Sequence, residues 1–158
     1  MCIRDRANPQ WRRIEAEARA LVIVPGPDAY VSPSWYASKA EHGRVVPTWN
    51  YTAVHLTGIA RVHLEPAWSR QAVSELTQVH EGGRAMPWWV TDAPDDYVDA
   101  QLRAIVGIEL SVERVEAKAK LSQNRSEADR AGVIDGLRGE AEPDASAIAD
   151  AMAALDSG

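Results

Sequence analysis

Phenylalanine is absent from this 158-residue chain, and cysteine occurs once. No apolar run approaches the roughly 20 residues that a membrane-crossing helix needs. The lone Cys2 excludes an internal disulfide and suits a reducing compartment, so the cytoplasm is the expected location. Positive charge is also scarce: 17 Lys and Arg stand against 23 Asp and Glu, a formal net charge of −6. Duplex DNA binding draws most of its affinity from cations on phosphates, and here the basic residues are scattered rather than gathered in a stripe. Direct nucleic-acid contact is not expected.

What is present describes a globular domain. The chain is 46% hydrophobic and 25% charged, enough apolar material for a real core at this length. Its aromatics are six Trp and four Tyr, residues that pack on one side and meet a polar group on the other. Two explanations compete: a Trp-rich core, or a surface that covers a flat ligand or a second subunit.

Asn8-Pro9 reads as a helix start, with Trp11, Ile14 and Ala18 on one face of a helix over 9–20. Residues 21–24 form a short apolar strand closed by Pro25-Gly26-Pro27, and 30–32 a further short one. From 49 to 64 the period is two, with Trp49, Tyr51, Ala53 and His55 on one side and Val54, Leu56, Ala60 and Val62 on the other. Gly58 inside that run suggests a bulge or bend. Helices are expected over 67–80, stopped at Gly82-Gly83, over about 95–105, and over 126–137 with Ser126 as cap. Between the last two, 106–112 and 115–121 alternate in opposite phase, which places a bulge at Glu113-Arg114. Residues from about 140 to 158 read as a weakly helical, frayed tail or a docking segment. No repeat or linker divides the chain. The order implies one α+β domain with a mainly antiparallel sheet, closed naturally as a small curved barrel.

Several chemistries lack their residues. His42, His55, His63 and His80 show no metal-ligand spacing and have no cysteine partner. Neither a phosphate-cradling glycine loop nor a serine elbow occurs, so nucleotide-triphosphate and hydrolase sites are not indicated. Three blocks remain: Ser32-Pro33-Ser34-Trp35-Tyr36 with Ser38-Lys39, Val46-Pro47-Thr48-Trp49-Asn50-Tyr51, and Lys120-Leu121-Ser122-Gln123-Asn124-Arg125. Together they set hydroxyls, amides and cations beside aromatic or apolar residues, the mixture a flat, phosphate-bearing ring system requires. Strand-connecting loops carry similar residues for structural reasons, so no single block is decisive.

Taken in order and spacing, the blocks resemble the PaiB-type family of FMN-binding proteins, from Arg6-Ala7-Asn8-Pro9 to about Leu137. The resemblance implies an FMN-binding split β-barrel with flanking helices, and a homodimer with the flavin at the subunit interface. It also implies a role as a negative transcriptional regulator. By the same resemblance, Asn50, Tyr51, Lys120, Ser122, Gln123, Asn124 and Arg125 border the FMN cleft, with Arg125 or Lys120 near the phosphate. The bland alternative leaves those two cations as solvated charges paired with Glu127 or Asp129. Trp35, Trp49 and Trp88 are the leading interface candidates. The family carries two or more strands upstream of its Asn-Pro segment. Here Met1–Asp5 reads as translated adapter sequence on a fragment, a reading that extends to Arg6. Two rival functions stand beside the regulator: a flavin-dependent oxidoreductase acting on a small substrate, and a barrel that has lost its cofactor.

Overall fold

In the computed structural model, which describes residues 2–14 and 18–155, the period-two segment forms a strand over Thr48–His63 (β3). With strands at Cys2–Asp5 (β1), Ala18–Val31 (β2) and Ile105–Lys120 (β4), this β3 makes a sheet in the order β1-β4-β3-β2. β1 runs antiparallel to β4, Cys2 opposite Ile108 and Asp5 opposite Ile105. The α+β class and the antiparallel sheet are as expected. β2 is longer than expected, because Pro25-Gly26-Pro27 lies inside it instead of ending it. β2 is an edge strand, where a residue without an N–H can sit facing away from its neighbour at no cost in ladder hydrogen bonds. The two expected segments at 106–121 likewise form the single strand β4.

The long strands run through two compact units. The first comprises Met1–Leu21 and Thr57–Arg114. Its helices, Pro66–Glu81 and Asp95–Arg103, join around Val90, Val98 and Leu102, with Val73, Ala93 and Ile105 packed against them. Arg70 bridges to Asp95 and Asp99 at 3.5 and 2.8 Å. The helix expected over 9–20 is a correction. Asn8 does cap Pro9, but only Pro9–Arg13 turns, as a 3-10 segment, and Ala18 already belongs to β2. Pairing along a 14-residue strand outweighs a modest helical preference. Residues 15–17 lie outside the described residues.

Two glycines in this unit are set by close approach. At Gly58 a Cβ would overlap the carbonyl of Ser111, so the residue admits a neighbouring backbone. At Gly107 the Trp68 ring occupies the place of a side chain. Trp68 in turn stacks on His63, rings 4.2 Å apart and 1° from parallel, while His63 Nε2 lies 2.9 Å from Glu109 Oε2. Gly107→Ala should therefore lower the unfolding free energy by about 1–3 kcal/mol, because Trp68 must leave its place. Urea denaturation followed by Trp fluorescence checks this, and an unchanged midpoint would contradict the packing.

The second unit comprises Val22–Leu56 and Val115–Gly158. A short helix at Ser38–His42 (α1) precedes two longer ones, Glu127–Arg138 and Pro143–Leu155, which we call α4 and α5 after α2 (Pro66–Glu81) and α3 (Asp95–Arg103). The expected tail is the second correction. α5 buries Ala145, Ile148, Ala149 and Met152 with Leu137 and Val133 of α4 and Ala29 and Val31 of β2. Its small residues fit a close helix pair, a property that weak amphipathic patterning hides. Trp35 packs against this core beside Gly136, so it is partly buried within the unit.

Candidate functional site

All three polar blocks fall in the second unit, and they meet. Asn50, fully buried on β3, donates through Nδ2 to Ser122 Oγ, and Ser122 Oγ donates to Asn50 Oδ1, both at 3.1 Å. Asn50 Nδ2 also reaches Met152 Sδ at 3.3 Å. Ser122 has φ 60, a left-handed conformation that costs a non-glycine residue of order 1 kcal/mol or more unless its surroundings hold it. Gln123 supplies part of that hold: its Oε1 accepts from Leu121 N, and its Nε2 donates to Ala119 O, each at 2.8 Å.

The cations of the third block are engaged as well. Lys120 Nζ donates to Thr48 Oγ1 at 2.5 Å and to the Trp49 carbonyl at 2.8 Å. The Arg125 guanidinium lies 4.5 Å from the centre of the Tyr36 ring. Tyr36 is buried, and its hydroxyl has no hydrogen-bond partner among the described residues. Asn124 is exposed in the turn between Gln123 and Arg125.

Asp129, on α4, joins the first block to the third. Ser126 Oγ accepts from Asp129 N, capping α4 as the sequence indicates. The Asp129 carboxylate accepts from Ser38 N and from Ser38 Oγ, each at 2.9 Å. The Ser38 backbone bond holds this carboxyl below its ordinary range against the cost of burial, helped by the Ser38 hydroxyl and by the Arg125 and His42 charges. Lys39 Nζ donates to Ser34 Oγ. Asn50, Ser122, Lys120 and Gln123 thus spend polar groups on one another, on the Thr48 hydroxyl and Met152 sulfur, or on the backbone. They form a clasp between the strand ends.

Beside the clasp the surface is apolar and open. A depression of about 390 Å³ is lined by Pro25, Gly26, Asp28, Trp49, Tyr51, Thr52 and Ala53. A second of the same size shares Pro25, Gly26, Thr52 and Ala53 and adds Val24, Val54, Ala117, Lys118 and Ala119. Trp49 is 53% exposed, with Tyr30 edge-on at 5.9 Å. The Lys118 ammonium lies 5.6 Å from the centre of the Tyr51 ring. Tyr51 was expected at the site; Asp28 and Lys118 were not. Lys118 shares the even-numbered phase of β4 with Lys120, the only sequence signal that points to it. Among the described residues no three His, Cys, Asp or Glu are grouped to hold a metal ion, and no helix is long and apolar enough to cross a membrane.

Comparison with known proteins places the chain in a family. Residues 4–114 match the family described as "Putative FMN-binding domain". The protease synthase and sporulation protein PAI 2 of Bacillus subtilis is 39% identical over 145 residues, 92% of this chain and 67% of that protein. Uncharacterized proteins of Aspergillus fumigatus and Emericella nidulans are 34% and 35% identical, over 84% and 78% of this chain and 57% and 54% of theirs. The chain therefore spans about two thirds of the Bacillus relative and little more than half of the fungal ones. On the breadth of these matches, the chain belongs to the PaiB-type family of putative FMN-binding domains.

Proposed function

We propose that this chain is an FMN-binding split-barrel protein with a regulatory role of the PaiB type, cytoplasmic and homodimeric. The observation that carries the reading is the surface formed by exposed Trp49 and half-buried Tyr51, with the Lys118 ammonium beside it. The residues fit the group: two aromatic side chains offer a flat apolar cover, and a cation and the Thr52 hydroxyl adjoin it. Asn50, Tyr51, Lys120, Ser122, Gln123, Asn124 and Arg125 border the cleft. In this arrangement Tyr51 faces the ring, the 123–125 turn edges the cleft, and the Asn50–Ser122 and Lys120 bonds hold the wall in place. Bound FMN supplies redox-active ring chemistry, and the protein supplies position and local charge.

β2, β3 and β4, of 14, 16 and 16 residues, are the staves of the barrel in this reading. Val22, Ile23 and Val24 are 41–55% exposed and Val115 is 62% exposed, an apolar area that a second copy would cover. With a net charge of −6, the regulatory output runs through ligand or protein contacts rather than through DNA.

Fluorescence titration tests the cofactor. The protein should quench FMN emission, and Tyr51→Ala should weaken binding roughly three- to tenfold, the worth of one aromatic contact. Absence of quenching by the unaltered protein would end the flavin reading. Sedimentation velocity at micromolar concentration should show a dimer, and a stable monomer would remove that part alone.

A further inference from the structure

We infer that Lys118, rather than Lys120 or Arg125, provides the cationic contact for the phosphate of the bound flavin, an assignment that rests on the FMN reading above. The surroundings of Lys118, Lys120 and Arg125 differ. Lys120 directs two of its three donors at Thr48 Oγ1 and the Trp49 carbonyl. Arg125 lies over the Tyr36 ring, and its charge acts on the buried Asp129. Each is committed to holding the protein together. Lys118 has no carboxylate partner among the described residues, sits on an exposed stretch of β4, and reaches only the face of Tyr51.

Its position suits a ligand that is flat at one end and anionic at the other. Tyr51 lines the depression that Trp49 also lines, so a ring lying there brings its polar tail beside the Lys118 ammonium. Asp28 lines the same depression and repels an anion, which favours the Lys118 side for the phosphate. The dianionic phosphate replaces a cation–π contact, worth little at an exposed site, with a charge-assisted hydrogen bond.

Riboflavin, which has the same ring and no phosphate, separates this contact from ring binding. Dissociation constants for FMN and riboflavin are measured by flavin fluorescence quenching for the unaltered chain and for Lys118→Ala, Lys118→Arg and Lys120→Ala. Lys118→Ala should weaken FMN roughly tenfold and leave riboflavin unchanged, and Lys118→Arg should restore most of the loss. Lys120→Ala should leave the FMN-to-riboflavin ratio as it is. Unchanged FMN affinity in Lys118→Ala overturns the assignment, as does an equal loss of both flavins or a selective FMN loss in Lys120→Ala. An unaltered protein that binds riboflavin and FMN alike leaves flavin binding standing and overturns the phosphate contact. One that binds neither removes both.

Discussion

Truncating Met152 to alanine should lower the unfolding free energy by about 2–5 kcal/mol, the usual range for emptying a fully buried methionine site. Met152 is 1% exposed, lies on α5, and packs in the cluster formed with Leu137, Ile148 and Val31. Its sulfur also accepts from Asn50, so the substitution removes a partner of the group that steadies Ser122. Leu155, at the end of the same helix, is 53% exposed, and its replacement by alanine should change stability by no more than about 0.5 kcal/mol. Equilibrium urea denaturation of the two variants gives the comparison. Equal midpoints would mean that α5 is not docked. A secondary effect is expected at the clasp, where looser restraint of Asn50 should make the 120–125 turn more accessible to amide hydrogen exchange.

The second large effect belongs to Asp129. Replacement by alanine removes the acceptor for both Ser38 N and Ser38 Oγ, and a hydrogen bond to a charged group is worth about 1.5–3 kcal/mol. Both donors are at 2.9 Å, and α1 has no other side-chain cap. Loss of Asp129 should therefore detach the 38–42 turn from α4 as well as reduce global stability. The contribution also depends on pH. Because folding lowers the Asp129 pKa, its stabilisation is fully present above the unfolded value near 3.8. It declines as pH falls through that value and is lost below the folded one, where both states are protonated. The stability gap between the unaltered chain and Asp129→Ala should accordingly be constant from pH 5 to 7 and shrink below about pH 4. A gap that widens on acidification would contradict this sign.

The two predictions concern the same feature, namely that polar and apolar contacts of the second unit converge on α4 and α5. This convergence was unevenly legible. Local signals were sufficient wherever one segment settles its own conformation. The strand over Thr48–His63, the helix over Pro66–Glu81 and the Ser126 cap of α4 each follow from periodicity or from a single side-chain hydrogen bond. The family, too, was legible, because the order of the three blocks is itself linear information.

Tertiary structure decided what depends on partners distant in sequence. Residues 9–20 have helical spacing, yet β2 begins at Ala18 because a long neighbouring strand offers backbone partners that a local helix cannot match. Pro25 and Pro27 remain within that strand because it lies at the sheet edge, a position no local pattern encodes. The residues beyond 140 lack a strong apolar stripe, but Ala145, Ile148, Ala149 and Met152 find a complementary surface on α4 and β2. The candidate site shows the same division. Its residue types announced a polar, aromatic region, and the family resemblance named Asn50, Tyr51, Lys120, Ser122, Gln123, Asn124 and Arg125 as the residues expected to border it. Only the fold distinguished the side chains that satisfy one another, Asn50 with Ser122 and Lys120 with Thr48, from Lys118, which lies over the Tyr51 ring. A hydrogen bond across 72 residues consumes a donor as completely as a local one, and its partner cannot be read from spacing.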